Sequence, residues 1–283
     1  MGAQIAAHVA NAGLPVLLLD LDDRTAREGL KRATALKPDP FFDADVASRI
    51  VTGGFDTLLD KLGESDWIVE AVVERLDIKR ALLERVDAVR SPGAIVSSNT
   101  SGIPLASLAE GRSEDFRRHW LGTHFFNPPR YLHLLEVIPT PETAPEVVRS
   151  VSEFADHRLG KGVVIAKDTP GFIANRLALF GVLRMLEVLE RGEFTVEEID
   201  AMTGPAIGRP KSATLRTMDI AGLDVLSLVV KDLHARLPAA DRDAFKAPAL
   251  LARMLAAGLL GEKSGAGFYK RVKKPNGVRR PAG

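Results

Sequence analysis

Hydrophobic positions fall at helical spacing at the start of the chain and at strand spacing soon after. Residues 2–12 place Ile5, Ala6 and Val9 on one helical face and stop at Gly13, a residue suited to the left-handed position that ends a helix. Pro15 then opens VLLLD, a short continuous apolar run of the kind buried in a parallel sheet. WIVEAVVE from Trp67, AIVSSNTS from Ala94 and VVIA from Val163 repeat the signal, with helical stretches between the runs, and LLEVI around Glu136 also reads as a strand. This alternation predicts an α/β fold with a doubly wound, Rossmann-type sheet domain over residues 1–166. The pattern changes at Asp168. Asp168, Thr169, Pro170 and Gly171 read as a helix start with proline in the first turn, and FIANRLALFGVLRMLEVLERG keeps helical spacing until Gly192. Thr195 with Glu198 forms a capping-box pattern that opens another helix. Residues 167–283 are therefore expected to form an all-α domain.

Composition narrows the function classes. A chain of 283 residues with 46% hydrophobic content suits a sizeable two-domain enzyme. A net charge of +1 gives no reason to expect nucleic acid or an anionic membrane as partner. No apolar run reaches the roughly 18 residues of a membrane span, and no secretory signal pattern opens the sequence. The absence of cysteine removes disulfides, thiolate metal sites and cysteine nucleophiles, and fits a reducing compartment. A cytoplasmic protein without a metal is the expectation. The basic tail from Lys270, KRVKKPNGVRRPAG, reads as a solvated terminus.

The segment 123–136, THFFNPPRYLHLLE, carries the most specific candidate chemistry. His124 closes an apolar run where the backbone turns into Asn127, Pro128 and Pro129, and Glu136 lies in the next apolar run. A carboxylate bonded to one ring nitrogen fixes the tautomer and leaves the other nitrogen to exchange a proton with a substrate hydroxyl. Taken alone, the pair reads more readily as a structural histidine and a solvated carboxylate than as a proton-transfer pair. Asp20 ends VLLLD, where an acid in a dinucleotide fold binds the adenosine ribose hydroxyls and repels a 2′-phosphate, so NAD is favoured over NADP. An Asp at a strand end serves as well to cap the next turn. The glycine fingerprint GxGxxG is nearly absent, since Gly2 supplies only its last glycine, and the expectation is a truncated N-terminus with the first strand missing.

Six segments in register, MGAQIAAHVANAG with Asp20, VEAVVERLDIK, SSNTS, THFFNPPRYLHLLEV, KDTPGFIANR and GEKSGAGFYK, resemble the NAD-dependent L-3-hydroxyacyl-CoA dehydrogenases over most of the chain. The resemblance implies that His124 is the general base for the 3-hydroxyl and Glu136 its orienting partner. It implies that Ser101 and Asn175 contact the reacting substrate oxygens. Gly2, Asp20, Glu74, Lys79 and Asn99 are implied to contact NAD, with Glu74 and Lys79 near the nicotinamide and its ribose. It further implies an acyl-CoA substrate, a role in fatty-acid β-oxidation and a homodimer formed through the helical domain. Ser101 reads as well as a turn or helix N-cap, Asn175 as a surface helix residue, and Glu74 and Lys79 as solvated helix charges. GRPKSATLRTMDIAGLD from Gly208 departs from the short members' turn and is similar to long bacterial members that continue into a hydratase domain, so a downstream domain is also expected to be lost. Arg209 and Lys211 within it are as well read as a solvated helix-start cluster as CoA phosphate contacts. The alternatives are a catalytically inactive truncated or crystallin-like relative, and another two-domain NAD-dependent hydroxyacid dehydrogenase.

Overall fold

A computed structural model describes residues 1–271, and most of the basic tail lies outside the described residues. The chain separates into two compact units, Met1–Phe172 and Ile173–Gly283.

The first unit is the expected α/β domain. Helix α1 (Gly2–Asn11) is followed by strand β1 (Val16–Asp20), helix α2 (Asp23–Thr34) and strand β2 (Ile50–Gly54). Asp22 caps α2 by accepting the Thr25 N–H at 2.6 Å. Strand β3 (Trp67–Glu70), helix α3 (Leu76–Val89), β4 (Ile95–Ser98), β5 (Trp120–Phe125), β6 (Leu134–Pro139), helix α4 (Pro145–His157) and β7 (Gly162–Ile165) complete the unit. β1 pairs with β2 in parallel, and β3 to β7 form a second sheet in sequence order. Its ladders are parallel except for β5 with β6, which is antiparallel. The connection 126–133 is too short for a parallel crossover, which needs about a dozen residues or more.

Alternate residues of β4, β5 and β6 serve the two faces of the sheet. Val96, Trp120 and Ile138 pack with Leu83 and Val86 of α3 on one face. Leu121, Phe125, Leu135 and Val137 pack with Val147, Val151 and Ala155 of α4 on the other. Helix α1 divides its side chains between the two ladders: Ile5 enters the core over β5 and β6, while Ala6, Ala7 and Ala10 enter the one that holds Ile50 of β2. Leu17 and Leu19 of β1 pack against the α3 side of the larger sheet. β1 and β3 therefore share one apolar core, Leu17 and Leu19 lying with Ile68, although no ladder joins them among the described residues.

The second unit is helical. It comprises α5 (Ala174–Glu190), α6 (Val196–Thr203), α7 (Leu215–Ala221), α8 (Leu223–Arg236) and α9 (Ala249–Ala256) with short turns between them. Leu183, Leu186, Ile199, Leu215, Leu223, Val230 and Leu251 form its core. Thr195 and Glu198 make the expected capping box at α6, the Thr195 N–H reaching the Glu198 carboxylate at 2.8 Å. The helix expected from Asp168 starts later, at Ala174. Gly171 and Phe172 adopt φ of 74° and 44°, which no right-handed helix accommodates, and Asp168 instead accepts the Ala106 N–H at 3.2 Å. Near the end of the described residues, Asp219 of α7 accepts the N–H groups of Phe268 and Tyr269, each at 2.9 Å. A Cβ at Gly267 would stand 1.9 Å from that carboxylate, so GAGFYK needs its second glycine for a packing reason. Among the described residues, no helix is long and apolar enough to cross a membrane.

Candidate active site

Strands β5 and β6 place His124 directly opposite Glu136 in the antiparallel register. Both side chains fall on the sheet face that carries Trp120 and Ile138, and both are buried. His124 Nδ1 lies 2.7 Å from Glu136 Oε2. A carboxylate accepts only, so Nδ1 carries the proton and Nε2 presents its lone pair. The rings of Phe126 and Phe172 lie 4.4 and 5.7 Å from the imidazole by centroid, so an apolar wall flanks it. The arrangement is that of a general base with a fixed tautomer.

Asn99 follows β4 and accepts the Phe125 N–H on its side-chain oxygen at 2.8 Å, which ties the end of β4 to the residue after His124. Its NH₂ group is the part that can meet a ligand. Ser101 is exposed on the next turn, and its backbone N–H donates to Glu74 Oε1 at 3.0 Å. The same oxygen accepts the Thr100 hydroxyl at 2.6 Å and the Gly102 N–H at 3.2 Å. Glu74 therefore shapes the Ser101 turn. Burial works against its charge, but the Thr100 hydrogen bond, the Lys79 ammonium and the Ser101 amide overcome that and hold the carboxyl below its usual range. Lys79, on the first turn of α3, is fully buried. Its ammonium sits 2.8 and 3.0 Å from the two Glu70 oxygens and 3.2 Å from Glu74 Oε2. Its donors are directed at protein acceptors, so Lys79 supports Glu74 rather than reaching outward. Sequence reasoning passed over Glu70. The available signal was an acid inside an apolar strand run, which must find a partner when buried.

The chemistry needed for NAD is present in part of the unit. Asp20 ends β1 opposite Gly54, with its side chain accepting only the Leu21 N–H at 2.8 Å among the described contacts. The first turn of α1 contains Gly2 and no acid, and its N-cap residue Met1 makes no side-chain cap bond, so its backbone N–H groups suit a pyrophosphate. A Cβ at Gly54 would stand 3.0 Å from Asp22 Cα, so the backbone beyond Asp20 is closely approached by β2. These features fit a dinucleotide. The first unit thus brings together His124, Glu136, Asn99, Ser101, Glu74 and Lys79, with Gly2 and Asp20 at α1 and β1. Asn175 belongs to the second unit, half-buried in the first turn of α5. Among the described residues, no group of three or more His, Asp or Glu could hold a metal ion.

Comparison with known proteins bears on the same two units. Residues 1–169 match the family model described as 3-hydroxyacyl-CoA dehydrogenase, NAD binding domain, and residues 171–271 match 3-hydroxyacyl-CoA dehydrogenase, C-terminal domain. A Deinococcus radiodurans protein named "Probable 3-hydroxyacyl-CoA dehydrogenase" is 51% identical over 96% of this chain and 80% of its own length. A Bacillus subtilis protein of the same name is 44% identical over 97% of this chain, which spans only 37% of that protein. The crystal structure of (S)-3-hydroxybutyryl-CoA dehydrogenase from Ralstonia eutropha superposes with a TM-score of 0.81 at 30% identity, covering 96% of each chain. With both units matched and the Rossmann-type and helical folds shared, the chain belongs to the 3-hydroxyacyl-CoA dehydrogenase family of oxidoreductases.

Proposed function

We propose that the protein interconverts an L-3-hydroxyacyl-CoA and the 3-ketoacyl-CoA with NAD and NADH, within fatty-acid β-oxidation. The observation that carries this reading is the buried His124–Glu136 pair, whose 2.7 Å contact leaves Nε2 as the proton acceptor. His124 takes the proton of the 3-hydroxyl in oxidation and returns it to the ketone oxygen in reduction. When bound, NAD supplies the hydride acceptor at the nicotinamide ring. Ser101 and Asn175 hold the reacting oxygens by neutral hydrogen bonds, which position without titrating. Asp20 takes the ribose hydroxyls and sets the preference for NAD. Glu74 and Lys79 shape the nicotinamide end, and Asn99 offers its amide there. Exposed Leu177 and Phe180 of α5 and Leu228 of α8 support a homodimer through the helical unit.

The test is the oxidation of NADH by acetoacetyl-CoA, followed at 340 nm in a spectrophotometer, with His124→Gln beside the parent. Positioned acid–base catalysis predicts a fall in kcat of roughly two to four orders of magnitude with acyl-CoA binding retained. Near-normal turnover in the variant removes His124 from the mechanism. A parent that binds NADH without turnover points to the non-catalytic relative, and activity confined to a hydroxyacid lacking CoA points to another NAD-dependent dehydrogenase.

A further inference from the structure

We infer that Glu70, which takes no part in the reaction scheme, is a positioning residue that sets the Ser101 turn through Lys79 and Glu74. The inference rests on the reading of Ser101 as a substrate contact. Glu70 is the last residue of β3, and its side chain is 2% exposed. One of its oxygens accepts the Val72 N–H at 2.6 Å, and the other accepts the Ser98 hydroxyl at 2.5 Å. Both lie within 3.0 Å of the Lys79 ammonium, which is itself 1% exposed. A single acid thus gathers the end of β3, the end of β4 and the first turn of α3.

Two routes lead from this point to Ser101. Ser98, whose hydroxyl donates to Glu70, accepts the Thr100 N–H at 3.1 Å. Lys79 donates to Glu70 and Val72 and pairs with Glu74, whose other oxygen accepts from Thr100, Ser101 and Gly102. The two acids differ in surroundings. Glu74 keeps 41% of its side chain exposed, so Glu70 is the counter-charge that shares the dry space of the ammonium. A buried charge that loses its partner recruits whatever opposite charge can reach it. Without the Glu70 carboxylate, Lys79 draws Glu74 inward, away from the three donors of residues 100–102. The Ser98 hydroxyl loses its charged acceptor in the same step, and the turn is released at both ends.

The test is Glu70→Gln, read by amide hydrogen exchange and by kinetics. Loss of charge-assisted bonds predicts exchange at the Ser101 and Gly102 amides faster by roughly ten- to a hundredfold, with the β5 ladder amides unchanged. In the acetoacetyl-CoA assay, kcat falls by about tenfold or more while KM for acetoacetyl-CoA moves far less, because a displaced turn disturbs the reacting geometry. Glu70→Gln combined with Lys79→Met removes both buried charges and keeps the fold should the single variant lose it. In that double variant the 101 and 102 amides remain fast, since Glu74 has lost its ammonium. Parent-like exchange at these amides in either folded variant overturns the inference, as does an unchanged kcat in an active enzyme. A parent without acetoacetyl-CoA activity defeats the proposed reaction instead, and the exchange comparison still decides whether Glu70 holds the turn.

Discussion

Glu136→Gln isolates the part of the proposed mechanism that the structure defines best. The substitution preserves the shape of the side chain and removes its charge. Glu136 is buried opposite His124, so no solvent stands in for the lost carboxylate. An amide can turn its NH₂ toward Nδ1, which then accepts and shifts the ring proton to Nε2. That tautomer has no lone pair for the substrate hydroxyl. Turning the amide oxygen toward Nδ1 keeps the productive tautomer but loses the anionic acceptor facing the imidazolium that forms during oxidation. Wrong-tautomer trapping of a catalytic histidine costs up to about four orders of magnitude, and loss of acid–base catalysis generally two to four. We expect kcat to drop by about three orders of magnitude, equivalent to about 4 kcal/mol of barrier. KM for acetoacetyl-CoA should change by no more than about threefold, because the pair does not bind the CoA portion in this scheme. The assay is steady-state NADH oxidation, with thermal unfolding to verify the fold and His124→Gln/Glu136→Gln to close a double-mutant cycle. Residues that act as a unit are not additive, so the double variant should be no slower than His124→Gln alone. A Glu136→Gln enzyme within tenfold of the parent, or two losses that multiply in the double variant, refutes the coupling.

Replacing Asp20 with Ala should weaken NADH binding by about tenfold and relax discrimination against NADPH, since a hydrogen bond to a charged acceptor is worth roughly 1.5 to 3 kcal/mol; an unchanged ratio of the two dissociation constants would leave Asp20 as a turn residue only. Burial, with Lys161 adding to it, pushes His8 down to about 4, so the unfolded chain takes up the proton from about 6.5 downward while the folded chain does not. Stability should therefore fall as pH drops through that window, by roughly 3 kcal/mol in all, and His8→Leu should flatten this part of a urea-unfolding profile; an equally steep profile in the variant would assign the loss to other groups. Thr195→Ala removes half of the α6 capping box and should cost about 1 kcal/mol, read as a lower unfolding midpoint, and no change would mean that the helix end is held by packing alone.

The elements that were legible in the sequence are those whose patterns are local. VLLLD and VVIA declare β1 and β7 through their continuous apolar runs, although β1 is only half-buried and β7 lies at the sheet edge with Val164 and Ile165 exposed, and Thr195 with Glu198 declares its cap three residues away. β2 was not legible. Its IVTGG ends in two glycines, which propensity reads as a turn, whereas the structure needs them for clearance. A Cβ at Gly53 would stand 2.3 Å from Leu58 Cδ1, and one at Gly54 would press on the backbone at Asp22. The start of α5 was misplaced because Pro170 imitates a first-turn proline, while the left-handed Gly171 and Phe172 that delay the helix leave no sequence signature at Phe172. Within the site, His124 and Glu136 were readable as a pair because one short loop separates them. The Glu70 network was not, since it joins Glu70 to Ser98 across 28 positions and to Lys79 across nine. The parallel ladder from β3 to β4 pairs Glu70 with Ser98, and the first turn of α3 brings Lys79 back to them.

The antiparallel turn from β5 to β6 is what converts two ordinary strand residues into a hydrogen-bonded histidine–carboxylate pair. Side chains alternate across a strand, so a one-residue slip in the β6 register would send Glu136 to the face occupied by Leu135 and Val137 and leave His124 facing an apolar residue. The connection 126–133 sets that register and is fastened from several directions. Buried Lys161 donates to the carbonyls of Pro129 and Leu132, and the Gly162 N–H reaches the His133 carbonyl at 2.9 Å as β7 begins. Arg130 donates to the carbonyls of Asp39 and Phe41, and the Tyr131 hydroxyl donates to that of Asp39 at 2.8 Å. A surface loop whose only task was to reverse the chain would not need two cations directed at backbone carbonyls. The cost of burying Lys161, which pushes its ammonium down to about 8, becomes understandable as the cost of holding the register on which the 2.7 Å contact depends. Lys161, Arg130 and Tyr131 thus fasten the connection whose register puts a carboxylate rather than a leucine beside His124, and in the proposed reaction they would act on proton transfer only through that register.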